Sequence, residues 1–161
     1  MIVEPTWYTL ALKETGTAEI RGKEHNDRIL EYHRSTNLHR RAAGKDETPW
    51  CSSFVNWCLE EAGWVGTDSA ASGSWLTWGM ELPVPWPGCI VVVRRRDGRA
   101  DDNTGSRTGN HVAFYDSTPY HGAIRLFGGN QSDAVKATSF SLASYDVLGL
   151  RWPLERKRKA P

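Results

Sequence analysis

A thiol beside a base is the simplest nucleophile a protein can assemble, and this chain offers three cysteines and five histidines for it. Cys51 has the most reactive setting. Phe54, Val55, Cys58 and Ala62 follow it at +3, +4, +7 and +11, which predicts one inward face of a helix. Pro49 stands just before that helix, and Gly63 is its expected stop. A cysteine in a first turn lies among unpaired backbone N–H groups, at the positive end of the helix dipole. Its thiolate is therefore expected to be stabilised and its pKa lowered. The competing reading is that a free cysteine is a small buried hydrophobe. That reading is adopted for Cys58, two turns further on, and for Cys89.

Among the histidines, His25, His33, His39 and His121 fall in polar or turn segments, where surface positions are expected. His111 opens the run His111-Val112-Ala113-Phe114-Tyr115 after a glycine-rich loop. A histidine at a strand mouth can face a helix start, and a structural role fits the same place. A histidine base needs a partner on its other ring nitrogen. Asn130 is the candidate, in Gly128-Gly129-Asn130-Gln131 at the end of the next strand. A short turn and two glycines allow that close approach, although an asparagine after glycine is also a common turn residue. Trp50, Asp46, Glu47 and Gln131 are weaker candidates for touching substrate. Gln131 or a side chain of 46–48 could also donate to an oxyanion. There is no His-Glu-x-x-His, no Cys/His cluster at zinc spacing and no phosphate loop, so neither metal nor cofactor is expected.

The elements that must position these residues fall into two halves. Helices are expected over 5–14, after Asn26 with Ile29 and Leu30 inward, from Cys51 to Gly63, and briefly over 72–79. The segment 34–48 reads as loop. From Leu82 onward, prolines and glycines break any helix. β-Strands are expected at 89–93, 111–115, 124–127, 135–140 and 147–152, with a long solvated loop or hairpin tip over 94–110. Helices followed by an antiparallel sheet of about five strands make an α+β fold, with the cysteine helix laid on the sheet.

The chain of 161 residues is long enough for one core and shows no linker, so 1–155 is read as one domain and 156–161 as a basic tail. A net charge of +1 gives no support for a nucleic-acid partner. An odd cysteine count without a disulfide pattern suggests folding in a reducing compartment. Neither a Sec-type signal nor a membrane-spanning segment is apparent. Eight tryptophans are many for this length. Most are expected in the core, with one or two of Trp64, Trp75, Trp78 and Trp86 edging a groove.

Four blocks in order carry a family resemblance: Trp50-Cys51-Ser52-Ser53-Phe54-Val55, Pro87-Gly88-Cys89-Ile90-Val91-Val92, Asn110-His111-Val112-Ala113-Phe114-Tyr115 and Gly128-Gly129-Asn130-Gln131. Together they resemble the CHAP/NlpC-type papain-like cysteine peptidases and amidases, in particular the small phage or prophage endolysin-like branch. The resemblance implies a papain-like fold and a peptidoglycan hydrolase working through a thioester. Cys51 would be the nucleophile, His111 the base and Asn130 the residue orienting the imidazole. Two departures stand out. Cys89 occupies a position that is acidic in many relatives, and Gly128 stands where CHAP members often have glutamate. The implied partner is peptidoglycan, met by a monomer at the cell wall or periplasm after synthesis in the cytoplasm and release by a holin or by injection. Several amide bonds of the stem peptide, its link to muramic acid and its cross-bridges fit equally. An injected anti-bacterial amidase or a non-catalytic wall-binding or virion-associated module would use the same residues. The basic tail could touch an anionic surface weakly.

Overall fold

Capping chemistry starts the helices close to where the periodicity puts them. Pro5 precedes α1 (Thr6–Lys13), and the Asn26 side chain accepts the Arg28 N–H at 2.9 Å to begin α2 (Asp27–His33). The segment expected to be all loop contains one short helix, α3 (Arg40–Ala43), begun by the His39 ring accepting the Arg41 N–H. The cysteine helix, α4 (Cys51–Glu61), begins at Cys51 itself with no side-chain cap on its first turn. A 3₁₀ turn over Ser72–Thr77 replaces the brief helix expected at 72–79. This computed structural model describes residues 3–154; the tail 156–161 lies outside them.

The second half of the chain is a six-stranded antiparallel sheet, one strand more than expected. The addition is the two-residue edge strand β1 (Met80–Glu81), followed by β2 (Ile90–Arg95), β3 (Asn110–Ser117), β4 (Ala123–Gln131), β5 (Ala134–Ser141) and β6 (Tyr145–Trp152). The order across the sheet is β1-β6-β2-β3-β4-β5. β5 and β6 are thus four strand spacings apart, about 19 Å in a flat sheet. Four residue steps, from Ser141 to Tyr145, bridge at most about 14 Å. The sheet is therefore rolled, bringing β5 and β6 together at that end.

Rolling gives the sheet two buried faces. On one side Ile90, Val92, Val112, Phe114, Phe127 and Val135 pack with the helices, around Trp7, Tyr32, Trp50, Phe54 and Trp75. On the other, Cys89, Val91, Val93, Ala113, Leu126 and Phe140 fill the inside of the roll. β2 is buried on both faces, which is why it reads as an unbroken β-branched run. Cys58 and Cys89 are packing residues, 0% and 1% exposed. Among the described residues no helix is long and apolar enough to cross a membrane.

Candidate functional site

Cys51 is 5% exposed and edges an open cavity of about 380 Å³. Its lining includes Ala70 and Ala71 of the loop after α4, Gly73 of the 3₁₀ turn, Thr104 and Arg107 of the loop before β3, and Asn110 at the start of β3. The backbone N–H groups of Val112, Ser52 and Cys51 point at the sulfur. Burial outweighs them and pushes the thiol pKa up from its ordinary value. The expectation of a lowered pKa fails for that reason. At Cys51 burial, and not the helix start, decides the direction.

His111 is fully buried at the mouth of β3. Strand alternation sends Val112 into the helix-side core and the His111 ring into the roll, where it stacks on Phe140 with centroids 5.7 Å apart. Its Nε2 lies 3.0 Å from Gln131 Oε1, while its Nδ1 is sealed from solvent and has no hydrogen-bond partner. The Gln131 amide nitrogen donates to the Leu126 and Lys136 carbonyls, so its oxygen must be the atom that faces the ring. Oε1 can only accept, so Nε2 carries the proton and Nδ1 carries the lone pair. Burial holds the ring pKa at about 4, with the Gln131 hydrogen bond and the nearby Asp101 charge pulling weakly upward. The ring is therefore neutral at pH 7. Thiol and imidazole meet the same stretch of β3 from its two sides and make no hydrogen bond to each other, so the expected nucleophile and base are not paired in this structure.

The partner expected on the imidazole was Asn130, and it is Gln131 instead. A bulge between Gly128 and Gln131 shifts the register, and Asn130 adopts a left-handed φ of 57°. The bulge lets Gln131 reach His111 and turns Asn130 toward Gly105, in the loop over the cavity. Asn130 Oδ1 is buried and has no partner there.

The weaker candidates divide. Trp50 is fully buried, stacks on Tyr32 and donates its indole N–H to Glu19, so it is core and not a substrate wall. Asp46 is also structural. It is 1% exposed and accepts from the Ile20 and Asn26 N–H groups and from His25 Nδ1, all within 2.9 Å. Burial alone would raise its pKa, but these donors hold it below the usual carboxylate value. Glu47 is exposed, 3.2 Å from His25 Nδ1. Ligand atoms of His25, Asp46 and Glu47 fall within 4.8 Å of one another, yet both Asp46 oxygens are already taken by hydrogen bonds. His33, expected at the surface, is fully buried between Ser53 Oγ at 2.9 Å and the Lys45 carbonyl at 3.1 Å. It pins the loop before Cys51 to α4, a long-range role that local polarity does not reveal. Trp75 is buried and Trp86 exposed, and none of the eight tryptophans lines the cavity at Cys51.

Asn110 is the cavity residue that the sequence reading passed over. Its Oδ1 is buried without a partner, and it lines the same cavity as Cys51. The signal was available. Residues 110, 112 and 114 share one face of a strand, and that face meets the cysteine helix. No family model, curated protein or solved structure matches this chain.

Proposed function

We propose that the chain is a papain-like cysteine amidohydrolase acting on the peptide part of peptidoglycan, as the endolysin-like resemblance implies, with Cys51 as nucleophile, His111 as base and Gln131 in the orienting role. One observation carries the reading: a buried imidazole whose tautomer is set by Gln131, leaving a lone pair on Nδ1 that nothing satisfies. An unsatisfied buried acceptor costs about 1–3 kcal/mol, and such groups call for an explanation such as catalysis. Cys51 is the nucleophile on the adjoining helix: Val112, the neighbour of His111 in β3, is the residue whose backbone N–H bears on its thiol.

Because the resting thiol and imidazole lie on opposite sides of β3, the reaction requires a rearrangement that brings the His111 ring out of the roll to the cavity at Cys51. The thiol then passes its proton to Nδ1 as sulfur attacks the amide carbonyl. The S–C bond forms, and the carbonyl pair moves onto oxygen. The Cys51 N–H and the Asn110 side-chain amide are the donors for that oxyanion, since both border the same opening. The imidazolium then gives its proton to the departing amine as the C–N bond breaks. Water, deprotonated by Nδ1, hydrolyses the thioester and restores the thiol.

Purified protein should clear permeabilised Gram-negative cells, and Cys51→Ala and His111→Ala should not. Asn110→Ala should lower kcat by about 10²–10³. Clearing by Cys51→Ala at the wild-type rate would sink the nucleophile assignment. A wall-binding module on the same fold is favoured by one observation, that thiol and imidazole are both neutral and unpaired. Under that reading wild type and Cys51→Ala are equally inactive and pull down equally with sacculi.

A further inference from the structure

The cavity at Cys51 does not end there. It shares Pro49 and Arg107 with a second cavity of about 620 Å³, and the two form one trough. Three cations from two distant segments converge on the outer part: Arg41 and Lys45 around α3, and Arg107 from the loop before β3. None of the three has a side-chain hydrogen bond or ion pair within the described residues, whereas Arg28, Arg95, Arg96 and Arg125 all pair with carboxylates. Glu47 is the one carboxylate among the lining residues, and it lies against His25. The Arg107 loop is not loose. An antiparallel bridge joins Asp101 to Ser106, and Asp101 is fixed by the Tyr145 hydroxyl at 2.6 Å. Holding three like charges around one concavity costs free energy unless an anion enters.

We propose that this outer trough is an anion subsite, in which Arg41, Lys45 and Arg107 bind a carboxylate of a peptide whose chain runs on past Ala70, Ala71 and Gly73 to Cys51. The ligand is a peptide because the inner trough is open and walled largely by small residues, which leave room for a backbone. Arg107 belongs to both cavities and is the residue that ties the carboxylate to the chain segment at the thiol. This deepens the peptidoglycan reading and rests on it for the choice of peptide. It assigns a requirement that the thiol chemistry does not: an acidic group on the substrate, displaced from the bond at Cys51 toward α3.

The test reads binding and not turnover, so it is independent of whether the chain cleaves anything. Cys51→Ala protein is titrated by calorimetry with N-acetyl-L-alanyl-γ-D-glutamyl-L-lysine amide and with the same peptide carrying a carboxamide in place of the free glutamyl carboxylate. The carboxylate peptide should bind about tenfold tighter, the scale of a charge-assisted hydrogen bond, and the difference should shrink at 0.5 M salt, where exposed charges are screened, to about half or less. In the Lys45→Glu/Arg107→Glu background the preference should vanish. Lys45→Gln/Arg107→Gln repeats the loss without new charge, and both positions are exposed, so folding is preserved. Equal affinity for the two peptides, no binding of either, or a preference that survives both double variants overturns the subsite. If wild type binds the carboxylate peptide in this way yet leaves sacculi intact, the subsite stands and the hydrolase reading falls.

Discussion

His111 is the residue on which the proposed chemistry turns, and its burial makes it a pH sensor of stability. The ring titrates at about 4 in the folded chain against an ordinary 6.5. Above pH 6.5 it is neutral whether the chain is folded or not. As pH falls from 6.5 toward 4, the unfolded chain takes up a proton that the folded chain refuses, so stability drops. Below 4 both states are protonated and the loss, about 3 kcal/mol, is complete. His33 pulls in the same direction, because burial lowers its pKa too. Urea unfolding at pH 7.5 and 4.5 should therefore show a smaller pH dependence in His111→Gln than in wild type. An unchanged dependence would mean that the ring is not held neutral by the fold.

At the scale of elements, the site depends on how closely α4 approaches β4. Gly129 is the contact. A Cβ there would lie 2.6 Å from the Trp50 ring and 2.9 Å from Phe54 Cβ. Gly129→Ala should cost about 1–3 kcal/mol by forcing helix and strand apart. Gly128 faces the inside of the roll, where a Cβ would meet Ala113 Cβ at 2.6 Å and Gln131 Oε1 at 3.1 Å. Gly128→Ala should thus lose stability and disturb the Gln131–His111 bond together. Adding Ala113→Gly removes the nearer clash, so the double variant should regain most of the urea midpoint. If it does not, the register between β3 and β4 is not what sets the need for glycine.

For the whole molecule, the N-terminal helices must be held on the rolled sheet, and Trp7 does much of this. Its indole N–H donates to the Gly88 carbonyl at 2.8 Å, and its ring packs edge-on against Trp64 and Trp152 at 5.5 and 5.1 Å. One side chain thereby joins α1, the entry to β2 and the end of β6. Trp7→Ala should cost about 3–5 kcal/mol, as large aromatic truncations in cores do, and Trp7→Phe much less. A loss for Trp7→Ala under about 1 kcal/mol in urea unfolding would show that α1 is a dispensable cover.

Much of this architecture was legible in residue order. Helical spacing from Cys51 to Ala62, the β-branched run 90–93 and the proline-rich break at 83–87 belong to short-range physics, and they delivered the α+β order and the position of Cys51 at a helix start. The same spacing demoted Cys58, which is core. Local pattern also carried information that was not used, since alternation along 110–114 already separates Asn110 and Val112 from His111. What tertiary structure decided was partnership. Gln131 and not Asn130 meets the imidazole because a bulge of two glycines and a left-handed asparagine shifts the strand, and a bulge has no reliable signature in one sequence. The raised thiol, the depressed histidines and the interior roles of Trp50, Asp46 and His33 all follow from desolvation. Desolvation is a property of what the rest of the chain covers, so no neighbour in sequence announces it.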